Sequence, residues 1–185
     1  MTSILRETEI PSCVELQLRR TEDPRGSFLK TTQRSVFEAL GLPWAFDEQY
    51  VTGSSKGVVR GLHFQTPPAD MFKLVTCLAG AAFDVVVDLR VGSPAYGRHA
   101  VFELDARRGN AVAMPTGCAH GFLAREDGTL LGYSCTAEYS PEHDTGILWD
   151  SVGIDWPLEG PPLQSERDLA FPALADFDSP FRFDG

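Results

Sequence analysis

The chain has 185 residues, of which 43% are hydrophobic, and a formal net charge of −10. This size suits one domain that buries its own core, and the negative charge argues against a nucleic-acid partner, because binding a polyanion relies on clustered Lys and Arg. The four cysteines form no CxxC pair, the N-terminus lacks the pattern of a secretory signal, and no apolar stretch is long enough for a membrane span. We therefore expect a cytoplasmic protein that does not associate with membranes.

Apolar runs with β-branched residues predict strands at 14–18, 83–89, 111–114 and 130–135. Short turns rich in Gly, Pro, Asp and Ser separate them. Because no long helical pattern lies between these strands, the spacing favours an antiparallel sandwich or barrel over a sheet built from β-α-β units.

One short helix is predicted at 36–40, with its apolar side chains facing the barrel. Ser35 is the expected N-cap and Glu38 stands at the capping-box position, while Gly41 and Pro43 end the run.

The C-terminal part of the chain becomes rich in Pro and Gly from residue 154 onward. This composition predicts an extended segment at 154–185 that packs over the barrel, within a single domain at 1–185.

Two of the four histidines stand in sequences that suggest chemistry. His63 lies in VVRGLHFQ (58–65), and in a regular strand it would point to the same side as Gly61, with Arg60 on the other side. A cation, a glycine that permits close approach and a neutral base suit an anionic substrate. The alternative is a core histidine that bonds a backbone carbonyl.

His120 follows the spacing Pro115-x-Gly117-x-x-His120, which resembles the second half of the cupin barrel motif. Metal-binding cupins add a His-x-His pair and a glutamate, because a divalent ion needs three or more ligands. Here residue 61, two before His63, is glycine, so we expect no bound metal. The alternative for His120 is a structural role in the turn.

Longer segments give a specific resemblance. They are DPRGSF (23–28), GVVRGLHFQ (57–65), FDVVVDLR (83–90) with SP (93–94), PTGCAHGF (115–122), Tyr133 with YSP (139–141), GIDWP (153–157) and SERD (165–168). In this order they resemble the dTDP-4-dehydrorhamnose 3,5-epimerase family over nearly the whole chain.

The resemblance implies a mainly β fold, a cupin-like double-stranded antiparallel β-helix or jelly-roll barrel with a few short helices. It also implies a homodimer with pocket residues shared across the interface. The implied substrate is a nucleoside-diphosphate-4-keto-6-deoxyhexose, with dTDP-4-keto-6-deoxyglucose expected, and the implied reaction is epimerisation at C3, C5 or both without a metal or nicotinamide cofactor.

The chemistry of such a reaction demands few groups. A ketone at C4 acidifies the hydrogens on C3 and C5, so inversion needs a base, a cation at the keto oxygen and an acid on the opposite face. By resemblance His63 is the base and Asp168, in Ser165-x-x-Asp168, orients it. Lys73 stabilises the enolate, Tyr133 returns the proton, and Ser165 belongs to the substrate site.

Further substrate contacts are implied by the resemblance. Arg60 is expected at the diphosphate and His120 in the substrate site, while Tyr139 stacks on the base. Arg25 and Phe28 are expected to reach in from the partner subunit. Guanidinium groups suit phosphate oxygens, and aromatic faces suit a planar pyrimidine.

Four residues depart from the family pattern, and one of them is Met71, where the family commonly has Gln. At the other three, position 30 is usually acidic, position 48 is Gln and position 50 is Asn. Here they are Lys30, Glu48 and Tyr50, all in segments implied to line the substrate pocket. Lys30 and Glu48 can exchange charges and still pair. Alternatively, Glu48 accepts from the exocyclic amine of cytosine in a CDP-sugar, although dTDP is the expected carrier.

Other functions remain open at the level of sequence. A sugar 3,4-ketoisomerase on the same barrel would use a pair of histidines two residues apart, which this chain lacks. A non-catalytic sugar-nucleotide-binding cupin would keep the barrel without a functional base. A metal-dependent cupin enzyme is a third alternative.

Overall fold

In the computed structural model, which describes residues 1–184, the chain folds mainly into strands. Gly185, the last residue of the predicted C-terminal segment, lies outside the described residues. In chain order the strands are β1 (Ser3–Glu7), β2 (Val14–Gln17), β3 (Arg19–Asp23), β4 (Gly26–Lys30), β5 (Glu48–Ser54), β6 (Val59–Gln65), β7 (Lys73–Ala79), β8 (Ala81–Asp88), β9 (His99–Asp105), β10 (Asn110–Met114), β11 (Cys118–Ala124), β12 (Thr129–Cys135) and β13 (Asp144–Gly146). The helices are α1 (Arg34–Ala39) and α2 (Glu166–Leu169), with a 3-10 turn at Leu174–Asp176.

Two antiparallel sheets enclose the core. The larger has the spatial order β1-β2-β10-β7-β12-β5, and the smaller has the order β13-β6-β11-β8-β9, while β3 and β4 form a separate hairpin. Most spatial neighbours are distant in sequence, as expected of a jelly roll. The strands predicted at 14–18, 83–89, 111–114 and 130–135 correspond to β2, β8, β10 and β12, so the mainly β class is confirmed.

The interior of the barrel takes side chains from both sheets. Val75 and Leu131 from the larger sheet meet Val86 and Phe122 from the smaller one in a single buried cluster. Because alternate strand residues point to opposite faces, each sheet also has an outer face that needs cover.

The C-terminal part of the chain covers the outer face of the five-stranded sheet. Ile154, Trp156 and Phe181 belong to the apolar cluster on that face. That 1–185 forms one domain, with 154–185 as its C-terminal segment, stays a prediction.

Helix α1 covers part of the outer face of the six-stranded sheet through Phe37, which is fully buried. The predicted Ser35 cap is wrong. Gln33 holds the N-cap position with extended backbone, and its carbonyl already accepts from the N–H of Phe37, which places Ser35 inside the first turn. Gly41, at φ +69°, follows the helix at its predicted end.

Candidate active site

The structure brings together His63 and Asp168, which lie 105 residues apart in the sequence. His63 stands on β6, and Asp168 lies in α2, whose N-cap Ser165 accepts a hydrogen bond from the Asp168 N–H at 3.0 Å. The distance between His63 Nε2 and Asp168 Oδ1 is 2.9 Å. The short helix therefore holds the carboxylate behind the imidazole.

The hydrogen bonds of Asp168 determine which nitrogen of His63 is free. Burial alone would raise the pKa of Asp168, but hydrogen bonds from His63 and the Gly61 N–H outweigh burial and lower it to about 2. Because the carboxylate can only accept, Nε2 of His63 must carry the hydrogen and donate it. Nδ1 is left with the lone pair of a base.

A β-bulge in β6 overturns the predicted side-chain alternation around His63. His120 of β11 pairs with His63, but Phe122 pairs with Arg60, so β6 carries one extra residue between the two pairs. As a result Arg60 and His63 line the same cavity. The prediction that they point to opposite sides is wrong because a regular period of two does not survive a bulge.

Gly61 is the residue that makes this bulge possible. Its φ is +114°, and a Cβ at this position would lie 2.6 Å from both the Cα of Gly121 and the carbonyl oxygen of His120. The bare backbone thus lets β6 and β11 approach closely while its N–H reaches Asp168 at 3.0 Å.

His63 lies where two cavities of about 150 and 300 Å³ adjoin at the open end of the barrel. Both are also lined by Lys73 and Tyr50. Lys73 is only 8% exposed, and its side chain forms no hydrogen bond or ion pair within residues 1–184. Burial lowers the pKa of Lys73, so its amine faces the cavity with little competing solvation and without a partner in the described part of this chain.

Tyr133 faces the smaller cavity from β12. Its ring stacks on Tyr50, with centroids 4.6 Å apart and planes inclined by 12°, and meets the ring of His120 edge-on at 5.7 Å. Burial raises the pKa of Tyr133 well above its ordinary value. Tyr133 is therefore a protonated phenol at neutral pH.

His120 forms a second pair of imidazole and carboxylate. Its Nε2–H donates to Oδ2 of Asp84 at 2.7 Å, and Asp84 is fully buried. Burial raises the pKa of Asp84, while the hydrogen bond and charge of His120 act in the opposite direction. The predicted site residue His120 thus lines the same cavity as His63. The two histidines also pair directly across strands β11 and β6.

Three more of the predicted pocket residues line one or the other of the two cavities. Arg60 lines the smaller one, where its Nε donates to the Ser54 hydroxyl at 3.1 Å. Glu48 and Tyr139 line the larger one, with Tyr139 57% exposed at its edge.

Five predicted residues line neither cavity of this chain, and one of them is Asp168, which lies behind the ring of His63. Arg25, Phe28 and Lys30 belong to the β3–β4 hairpin; the Arg25 side chain is 90% exposed and Phe28 is 56% exposed. Ser165 caps α2 and acts on the site through Asp168.

Sequence reasoning missed three polar groups at the site. Asp84 was not predicted as a site residue, although an acidic side chain inside a buried strand signals a polar partner. Asp144 and Arg167 line the larger cavity as an ion pair of 2.6 Å. Arg167 lies in the SERD segment (165–168), but no motif indicated that it would pair with Asp144.

Within residues 1–184, no group of three or more His, Cys, Asp or Glu side chains is arranged to hold a metal ion. No helix in this range is long and apolar enough to cross a membrane.

A family model described as dTDP-4-dehydrorhamnose 3,5-epimerase matches residues 7–176. The chain belongs to this family. It is therefore an epimerase, a member of the isomerase class.

Individual relatives agree. A dTDP-4-dehydrorhamnose 3,5-epimerase of Sinorhizobium fredii is 45% identical over 129 residues, which cover 69% of this chain and 66% of that protein. A dTDP-4-dehydrorhamnose 3-epimerase of Streptomyces niveus is 42% identical, with 93% of this chain and 84% of that protein covered.

A solved structure matches the complete fold. The dTDP-6-deoxy-D-glucose-3,5-epimerase of Legionella pneumophila, in complex with dTDP-4-keto-L-rhamnose, superposes with a TM-score of 0.94 at 33% identity and full coverage of both chains. The predicted cupin-like jelly-roll fold and the predicted family are thus confirmed.

Proposed function

We propose that the chain inverts C3, C5 or both of dTDP-4-keto-6-deoxyglucose or a closely similar dTDP-4-keto-6-deoxyhexose. The observation that carries this proposal is the 2.9 Å contact between His63 Nε2 and Asp168, at a cavity that Lys73 and Tyr133 also line. Base, orienting carboxylate, cation and acid are the groups that such an inversion needs.

In the proposed reaction, Nδ1 of His63 removes the proton from a carbon next to the C4 ketone. The electron pair of the broken C–H bond delocalises onto the keto oxygen, where the ammonium group of Lys73 stabilises the negative charge. Asp168 stabilises the imidazolium that forms. Tyr133 then protonates the opposite face of the carbon, and proton return from His63 through solvent to Tyr133 completes an isomerisation without redox change.

The rest of the substrate is assigned to the other cavity residues. The Arg60 guanidinium suits the diphosphate, and the exposed face of Tyr139 suits the pyrimidine. His120, whose Nε2–H donates to Asp84, is assigned to a sugar hydroxyl from which its Nδ1 can accept. The dTDP-sugar held by the Legionella pneumophila relative supports this class of ligand.

A homodimer is the second part of the proposal. The β3–β4 hairpin exposes Arg25 and Phe28 away from the cavities of its own chain. Val51, Leu78 and Leu130, on the larger sheet, are also exposed apolar residues. In a dimer, this sheet would be covered and the hairpin of one subunit would complete the pocket of the other. Light scattering on the purified protein checks the subunit number.

Solvent exchange tests the proposed chemistry. The protein is incubated in D₂O with dTDP-4-keto-6-deoxyglucose, and NMR spectroscopy locates deuterium at C3 and C5. We expect label at one or both carbons with the wild type and none with His63→Ala. Undiminished label with folded His63→Ala would overturn the role of His63, and no label with wild type would overturn the function.

A CDP-linked 4-keto-deoxyhexose is a second candidate because of Glu48. Its carboxylate lines the larger cavity and has no hydrogen-bond or ion-pair partner within residues 1–184, and it can accept from the amine of cytosine. Calorimetry with dTDP and CDP separates the two. We expect tighter binding of dTDP; tighter binding of CDP that is lost in Glu48→Gln would establish the second candidate.

A further inference from the structure

Tyr50 and Tyr133 form a pair across two neighbouring strands. They are directly opposite in the register of β5 and β12, and both line the smaller cavity. Their rings are nearly parallel, 12° apart, with centroids separated by 4.6 Å. The two rings are therefore stacked face to face and do not meet edge to face.

The surroundings of Tyr133 give this stack a consequence. Its ring is bounded by the face of Tyr50 on one side and by His120, edge-on at 5.7 Å, on another. His120 is itself fixed by Asp84. Removing the Tyr50 ring would therefore open one wall of the space that holds the phenol, while the His63–Asp168 pair on the other sheet would keep all its contacts.

We propose that Tyr50 is a positioning residue that holds the Tyr133 phenol in the orientation that protonates the sugar on the inverting face. This inference rests on the function proposed above and deepens it. Proton removal depends on His63, whereas inversion also depends on Tyr133. By positioning Tyr133, Tyr50 would control how often the enolate goes on to the inverted sugar instead of going back to the original configuration. Retention arises when His63 exchanges its proton for deuterium from the solvent and returns that deuterium to the face from which the proton was taken.

The ratio of inverted to retained labelled sugar measures this control directly. In D₂O, each return by a group that has exchanged with solvent leaves deuterium at the carbon, and the configuration of that carbon shows which group returned it. Because both products come from the same active sites, the ratio does not depend on how much of a variant is folded.

Tyr50→Leu is the informative change, because it removes the ring and keeps an apolar side chain. The stabilisation that a stacked pair provides corresponds to a factor of about two to ten in rate, so we expect the ratio of inverted to retained labelled sugar to fall by about this factor. Tyr50→Phe keeps the ring and should recover most of the ratio. Tyr96→Leu, the same change at an exposed tyrosine between β8 and β9, is the matched control.

A double variant tests whether Tyr50 acts through Tyr133. In a Tyr133→Phe background, which should itself have a low ratio, Tyr50→Leu is expected to produce no further fall, since coupled residues are not additive. An additive fall would show independent action and overturn the proposal.

Other outcomes also decide against the proposal. An unchanged ratio in Tyr50→Leu, with a raised KM, would make Tyr50 an ordinary substrate contact. A low ratio in Tyr50→Phe would assign the effect to the hydroxyl group instead of the ring. Failure of the underlying function looks different, because wild-type protein would then incorporate no deuterium.

Discussion

Replacing Asp168 by asparagine tests the arrangement at the centre of the site. The substitution keeps the size and shape of the side chain but removes its charge. The Asp168 carboxylate accepts from both His63 and the Gly61 N–H. An amide can turn its NH₂ group toward Nε2 of His63, and the imidazole would then carry its hydrogen on Nδ1. The nitrogen that faces the substrate would no longer be a base.

The magnitude follows from the electrostatics of the carboxylate. The Asp168 side chain is only 6% exposed, so water screens it little. The lowering of its pKa from 3.8 to about 2 corresponds to about 2.4 kcal/mol in favour of the charged form. Losing this charge removes stabilisation from the imidazolium that forms, so proton removal becomes slower. The wrong tautomer adds to this, and in Ser-His-Asp triads the same change costs roughly 10⁴-fold.

The assay compares kcat for deuterium incorporation at saturating substrate in wild type, Asp168→Asn and Asp168→Ala. We expect a fall of about 10³–10⁴-fold for Asp168→Asn. Asp168→Ala should be less impaired, because it imposes no tautomer on His63. Folded Asp168→Asn within about tenfold of wild type, or faster than Asp168→Ala, would refute the reasoning.

Three further predictions concern stability and the enolate site. Lys73→Met should raise the free energy of unfolding near pH 7. The reason is that burial lowers the pKa of Lys73, so the folded state binds this proton less tightly than the unfolded state. The same variant should lower kcat by about 10²–10³-fold. Equal stability in thermal denaturation would contradict this. Gly61→Ala should cost more than about 2 kcal/mol in chemical denaturation, whereas Gly128→Ala, also at positive φ but with nothing within 4 Å of the added Cβ, should cost about 1–2 kcal/mol. Because the folded-state pKa of Asp168 is lowered to about 2, its contribution to stability is present above the ordinary value and is lost as pH falls from about 4 to 2; acid titration of Asp168→Asn should lack this part of the loss.

The strands were predictable because each is encoded by a local run of apolar, β-branched residues. Apolar β-branched runs predicted the positions of β8 and β12, and glycine ended α1 where the sequence indicated. The cap of α1 was not predictable in the same way. Ser35 is a favourable cap by composition, but Phe37 must reach the outer face of the six-stranded sheet, and the helix begins earlier to place it there.

The sequence alone determined the family, the strand content and the two residues of the proposed catalytic pair, His63 and Asp168, because motifs fix residue types at set spacings. Only the tertiary structure decided how they meet. The bulge at Gly61 turned Arg60 toward His63, and cross-strand register placed Tyr50 against Tyr133. Asp84 also gained its partner this way. These contacts join residues that are distant in the chain or out of phase with a regular strand, so no local pattern encodes them.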